Sequence, residues 1–363
     1  MKQAYLLAAD TGATNTRLRL EPLEGDHERR QDTVESPKHV DDLVARIHSF
    51  VEAWLPPGGV IESAVFGLPG KVSADRQQCA ISYLDPDRYV DFGPIFQRLA
   101  IGHGILANDV ECGVFGLAAT PASQLELLCG ERDAGHCAGP SILGMPGTGL
   151  GVGLLLPSSI TLPSGKRLSG DATLPSEGGH LTAAIRPDDP IELAYYQRTF
   201  EAACVHGDRA LPTWEHLLCG GAIPRLFRCV VHAEFAELKD RLQPGGPSPL
   251  KVSEWARSAG HALQPAAAET FAYYGRLFGR MMQSAALLVL AEGVYLGGDI
   301  VLANHRYLAE EFRQSFQWHT IHRHLLVKLP VWLVRNPSLN LDGATRMARD
   351  AWRLRCANGE IVR

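Results

Sequence analysis

The chain has 363 residues, 45% of them hydrophobic and 21% charged, with a formal net charge of −5. Such a balance describes an ordinary folded protein with room for two domains, and it lacks the basic footprint that nucleic-acid binding calls for. No apolar run approaches the length of a membrane span, and the N-terminal MKQAYLLAADTG enters a polar stretch without a small-residue cleavage site.

In chain order, the first third alternates strand and helix patterns. Residues 4–9 and 16–20 read as paired strands, 41–54 as an amphipathic helix and 63–67 as a buried strand. A helix around 94–100 leads to a short strand at 105–107, which ends at Asn108 and Asp109, and residues 110–119 read as helical. Residues 141–144 and 151–156 are strands on either side of a glycine turn, and 191–203 is a helix. Helical patterns fill 221–290, interrupted by the surface loop QPGGPSP at 243–249. Strands return at 293–296 and 331–334, and residues 342–353 form a closing helix. The fold class is α/β with a helical middle.

The eight cysteines include no CxxC pair, which favours reduced, mostly buried thiols in a cytoplasmic protein over a disulfide framework or a zinc site. His319, His322 and His324 cluster without a nearby carboxylate or thiol and read as a solvated segment.

Two glycine-rich stretches call for a reason. Neither Gly70–Lys71 nor Gly165–Lys166 is followed by Ser or Thr, so neither is a Walker A loop. GTGLGVGLLL runs from glycines into a strand, which is not the strand–helix setting of a dinucleotide fingerprint. DTGATNT and GTGLG are instead two hairpin turns of similar chemistry. Each offers glycine for close backbone approach, N–H donors for anionic oxygens, and a threonine hydroxyl at Thr14 or Thr148. A plain polar hairpin is the alternative reading of either one. Asp10 would repel a phosphate directly, but it suits a Mg²⁺ held between them, through water.

D-x-G-x-T-N-x-R at residues 10–17, N-D at 108–109, G-T-G-L-G at 147–151, E-G-G-H at 177–180 and G-V-Y-L-G-G at 293–298 occur in one order. That ordered set, with Gly343 and Ala344 before the last helix, resembles the bacterial-type glucokinases of the sugar kinase, actin and heat-shock chaperone superfamily. The resemblance implies a two-lobed actin-like ATPase (ribonuclease H-like) fold with a cleft between a small domain, residues 1–109 plus about 337–363, and a large domain, residues 110–336. It implies an ATP- and Mg²⁺-dependent hexose kinase acting on glucose as a cytoplasmic homodimer, with a sugar as its small-molecule partner and neither nucleic acid nor membrane.

Residue by residue, the resemblance makes Asp109 the general base; an Asx cap on the following helix is the other reading. It makes Asn108, Glu177, His180 and Glu215 sugar ligands, with Asp109 at the same hydroxyl. Asn108 reads equally as a turn residue, His180 as a surface-loop histidine and Glu215 as an ordinary helix residue. Asp10 (through Mg²⁺), Gly12, Thr14, Asn15, Thr148, Gly149, Gly297 and Gly298 become nucleotide contacts, the last pair also reading as a simple turn.

The chain departs from the family pattern at Ala13, where a glycine is usual, at Asp299, which adds a carboxylate beside the nucleotide glycines, and at residues 81–85, which replace a sugar-side segment. The last departure keeps a kinase for another hexose or amino sugar in play, and the first two a catalytically weak sugar sensor. The zinc-binding cysteines and helix-turn-helix extension of the related repressor/kinase branch are absent.

Overall fold

The computed structural model describes residues 3–24, 28–84, 86–131, 139–156, 159–161, 167–169, 172–204, 211–242 and 245–359. Of the positions read above, Asp85, Cys137, residues 165–166, residues 243–244 and the Cys204 side chain lie outside the described residues.

The N-terminal sheet is built around β1 (Ala4–Thr11), followed by β2 (Asn15–Pro22), β3 (Arg30–Glu35), α1 (Val40–Trp54) and β4 (Val60–Leu68). A small antiparallel sheet of β5 (Gly70–Val72), β6 (Gln78–Ile81) and β7 (Tyr89–Asp91) comes next, then α2 (Gly93–Arg98), β8 (Gly104–Asn108) and α3 (Asp109–Leu117). The main sheet runs β3-β2-β1-β4-β8, with β1 parallel to β4, and β4 parallel to β8. Strand pleat sorts β1 into two cores. Tyr5, Leu7 and Ala9 pack with Leu43, Ile47 and Phe50 of α1 and with Phe66, Phe92 and Phe96, whereas Leu6 and Ala8 face the other way.

That second face is covered by the far end of the chain. Leu341, Ala344, Met347, Ala348 and Trp352 belong to α11 (Leu339–Ala357), and they share a core with Leu6, Ala8, Val65 and Cys112. Helices α3 and α11 touch backbone to backbone. A Cβ at Gly343 would lie 1.7 Å from the Cys112 carbonyl oxygen, and one at Gly116 would lie 2.2 Å from that of Leu339.

After α3 come β9 (Leu125–Cys129), β10 (Ser141–Pro146), β11 (Leu150–Leu156), the paired β12 (Ser159–Thr161) and β13 (Arg167–Ser169), and β14 (Ala172–Ser176). Helices α4 (Pro190–Cys204), α5 (Trp214–Leu218), α6 (Ile223–Glu234), α7 (Pro249–Arg257) and α8 (Gln264–Val289) precede β15 (Gly293–Leu296), α9 (Asp299–Gln317), α10 (Arg323–Leu326) and β16 (Val331–Val334). Their sheet contains the order β11-β10-β15-β16-β9, with β10, β15 and β16 mutually parallel. The plan of β2-β1-β4-β8 is therefore repeated in β11-β10-β15-β16, and each glycine turn joins the first two strands of its own sheet.

The chain divides into two units: one up to Thr120, with Thr173–Pro175 and everything from Ser338, the other Pro121–Ala172 with Ser176–Pro337. In chain order the first unit runs on through α3, which is packed on α11, to Thr120. Helix α9 and the small β5-β6-β7 sheet were not read from the sequence. Gly343→Ala is expected to destabilise the protein by about 2 kcal/mol or more, because the two helices cannot accommodate a methyl at their contact. Chemical denaturation of the variant against the parent checks this.

Candidate active site

In the first unit, β1 and β4 are in register at Asp10 and Gly67, and β4 and β8 at Leu68 and Asn108. Asp10, Asn108 and Asp109 thus stand at the carboxyl ends of parallel strands, where open α/β sheets bind ligands. The pleat that sends Ala9 to one core sends Asp10 to the α11 side. There its carboxylate, only 5% exposed, receives Asn340 Nδ2 at 3.3 Å and pairs with Arg17 Nη1 at 3.3 Å. Burial pushes the Asp10 carboxyl above the usual range, and Arg17 and Asn340 pull it back.

The β1–β2 turn closes through Gly12 N–H, which donates to the Asn15 carbonyl at 2.9 Å. Ser36 braces it from behind. Its hydroxyl donates to the Gly12 carbonyl at 2.5 Å and its N–H donates to the Thr14 carbonyl at 2.9 Å. Ala13, Thr14 and Asn15 are exposed at the tip. Ala13 is not among the residues with positive φ, so alanine fits where the family usually has glycine.

Asn108 caps α3: its Oδ1 accepts from the N–H groups of Val110 at 2.9 Å and Glu111 at 3.3 Å, and its Nδ2 donates to the Gly70 carbonyl at 3.0 Å. The cap role weighed for Asp109 therefore falls to its neighbour. Asp109 takes the first helical position, half-buried, with Oδ1 accepting from Val110 N–H at 2.9 Å. Glu111, 2% exposed, completes the capping box and is held in a fork by Arg76, Nη2 to Oε1 at 2.6 Å and Nη1 to Oε2 at 3.0 Å. Arg76 has φ of 57°, and its Nη1 also donates to the Leu106 carbonyl in β8. The Cys112 thiol behind this corner is pushed well up, first by burial and then by the charges of Asp10, Glu111 and Asp109.

In the second unit, the β10–β11 turn closes through Gly147 N–H, donating to the Gly149 carbonyl at 2.8 Å. Gly220 N–H, just past α5, donates to the Gly147 carbonyl at 2.8 Å. Gly298 has φ of 87°, and a Cβ there would lie 2.5 Å from the Pro146 carbonyl oxygen. This close approach, which only glycine permits, sets the N-terminus of α9 beside the turn. Asp299, in the first turn of α9, is exposed, and Gly297 N–H ties β15 to the Gly144 carbonyl at 3.0 Å.

Glu177, His180 and Glu215 come together. His180 Nε2 lies 3.7 Å from Glu177 Oε2 and 3.9 Å from Glu215 Oε1. Glu177 precedes and His180 ends a single 3₁₀ turn, Gly178–His180, and Glu215 rides on α5. Two buried tyrosines fix that short helix: Tyr195 donates to the Leu217 carbonyl at 2.8 Å and Tyr274 to the Leu218 carbonyl at 2.6 Å. Trp214, Leu217 and Leu218 are buried in the unit's main core.

A family model described as Glucokinase matches residues 7–351. The chain belongs to the glucokinase family. Among curated relatives, the glucokinase of Rhizobium etli strain CIAT 652 is 27% identical over 293 residues, covering 79% of this chain and 75% of the relative. Among solved structures, the glucokinase of Balamuthia mandrillaris in complex with glucose superposes with a TM-score of 0.77 at 20% identity, covering 96% of this chain and 94% of that one. A glucokinase of Streptomyces griseus in complex with glucose and AMPPNP gives a TM-score of 0.63 at 19% identity, covering 95% and 99%. These structural likenesses carry the fold, that of the sugar kinases.

Within this glucokinase-family chain, sequence reading missed Ser36, Arg76, Glu111 and Asn340, all of which hold the candidate residues in place. An S-x-x-E-like spacing was visible at Asn108 and Glu111, a capping-box signature that marks the cap. His319 stacks on His322, which meets His324 at a tilt, and the described residues contain no group of three or more His, Cys, Asp or Glu able to hold a metal ion. Because Glu111 is buried and Arg76 is its charged partner, Arg76→Met is expected to cost about 3 kcal/mol in stability. Urea unfolding of the variant measures the loss.

Proposed function

We propose that this protein transfers the γ-phosphoryl group of ATP to the 6-hydroxyl of glucose, with Asp109 as general base. The observation that carries the reading is the gathering of Glu177, His180 and Glu215 about one imidazole in a chain of the glucokinase family. Two carboxylates and an imidazole within 4 Å offer acceptors and a donor to neighbouring sugar hydroxyls, and such a polar set rejects analogues that lack one.

Asp109 accepts the proton of the attacking hydroxyl. It stands at the start of α3, where the Val110 N–H orients it while Asn108 caps the helix. The N–H groups at the tips of the two glycine turns, other than those of Gly12 and Gly147, serve as phosphate donors, with the N-terminus of α9 at Gly298 adding donors of the same polarity. The exposure of Asp299 supports its facing away from the phosphates.

A single buried carboxylate with its charge partly compensated fits Mg²⁺, which takes one or two carboxylates and otherwise keeps water and phosphate oxygens. Asp10 would hold the ion, and the ion when bound supplies neutralisation of the phosphate charge. The reading extends to a cytoplasmic homodimer. Six unpaired thiols among the described residues support a reducing compartment, and the exposed Leu288, Leu290, Trp318 and Ile321 support association of the second unit. No helix among the described residues is long and apolar enough to cross a membrane.

Residues 81–85 differ from the family's sugar-side segment, so glucose, mannose, fructose, glucosamine and N-acetylglucosamine belong in one ATP-consumption assay. Glucose is expected to give the highest kcat/KM, and a preference for an amino sugar would reassign the substrate. Asp109→Asn should lower kcat by about 10²–10⁴-fold, the range for a general base, while glucose still binds. Unchanged turnover with weakened glucose binding would remove Asp109 from the base role.

A further inference from the structure

Glu215 uses its two oxygens in different directions. Oε1 faces His180 Nε2 at 3.9 Å, on the side of the sugar cluster. Oε2 accepts a hydrogen bond from Leu150 N–H at 2.8 Å, at the end of the glycine turn. The same oxygen fills the space beside Gly149, where a Cβ would lie only 2.8 Å away. Two further contacts tie the pieces together. Gly220 N–H, two residues past α5, reaches the Gly147 carbonyl at 2.8 Å, and a Cβ at Gly179 would lie 2.2 Å from the Leu150 carbonyl oxygen. The E-G-G-H turn, the helix carrying Glu215 and the G-T-G-L turn are thus braced against one another through backbone contacts and one carboxylate.

We infer that Glu215 is a positioning residue for the nucleotide as well as a sugar ligand, its Oε2 setting the shape of the turn at residues 147–150 that receives the phosphates. The inference rests on the reading of that turn as a phosphate holder and of the Glu177–His180–Glu215 cluster as the sugar site. With a carboxylate at position 215, Leu150 N–H is drawn back into the protein, and residues 147–149 are left at the tip. Without it, the space beside Gly149 empties and the turn loses a charged brace. A hydrogen bond to an ionised acceptor is stronger than one between neutral groups, so its loss is felt in whatever the turn binds.

The test measures the two ligands separately by calorimetry: Mg²⁺ with a non-hydrolysable ATP analogue in the absence of sugar, and glucose in the absence of nucleotide. Glu215→Ala is expected to weaken the nucleotide analogue about tenfold or more, from the loss of a charge-assisted hydrogen bond, and to weaken glucose too. His180→Ala should weaken glucose alone. Glu215→Gln keeps an oxygen able to accept from Leu150 N–H, though a neutral one, so it should recover most of the nucleotide affinity lost in Glu215→Ala while glucose binding stays impaired. A residue that merely supported the fold would not divide the two affinities in this way.

Gly149→Ala supplies an independent route should Glu215→Ala fold poorly. Its methyl competes with Oε2 for one space, so it should weaken the nucleotide analogue in the parent and cause no further loss when combined with Glu215→Ala. Parental nucleotide affinity in both Glu215→Ala and Gly149→Ala, with glucose binding lost in the former, overturns the inference and leaves the sugar site intact. Parental glucose binding in His180→Ala overturns the sugar-site reading instead, and the nucleotide measurements still decide the role of Oε2.

Discussion

A carboxylate oxygen of Glu215 lies 2.8 Å from where a Cβ at position 149 would be, and the same oxygen accepts from Leu150 N–H, so the second glycine turn is built against that carboxylate. A turn that presents N–H groups outward must be held from behind, or its short backbone collapses onto its own carbonyls. The two units solve this with different chemistry. Ser36 holds the first turn through carbonyl groups of Gly12 and Thr14, and Glu215 holds the second through an N–H. Both braces come from elements remote in sequence, so neither turn is a local structure. The glycines permit these shapes, and residues 24 and 65 positions away impose them.

The same division runs through the first unit's carboxylates. Asp10, Asp109 and Glu111 surround one thiol, that of Cys112, and each is managed differently. Glu111 is fully paired by a guanidinium fork and serves the architecture. Asp109 is oriented by a helix N-terminus, its Oδ1 accepting from Val110 N–H. Asp10 is buried with partial compensation only, and burial pushes its carboxyl upward. Three acids around one thiol are thus held by different sets of hydrogen-bond partners.

Much of this was legible from residue pattern. The alternation around residues 4–20 gave the first hairpin, and the order of five short motifs gave the family. Element positions at 63–67, 141–156 and 293–296 agree with β4, β10, β11 and β15 to within a few residues. What escaped reading depends on distance along the chain. Arg76 meets Glu111 across 35 residues and Asn340 meets Asp10 across 330, and no local period announces either. Helix α9 is a different case. Its buried Val301, Asn304, Leu308, Phe312 and Phe316 have helical spacing, but a buried asparagine and the charged residues between them masked it. The Asn108 side chain shows how a motif can conceal its own structural work, since the residue beside the expected base is the helix cap.

The covering of β1 by α11 has a consequence for biosynthesis. Leu6, Ala8 and Val65 leave the ribosome early, and their apolar face waits for residues beyond Ser338 before it is shielded. During that interval the nascent chain carries an uncovered sheet surface, which is the kind of surface chaperones bind and aggregation exploits. All of the second unit lies within the waiting interval, so its own core can condense while the earlier strands are still unfinished.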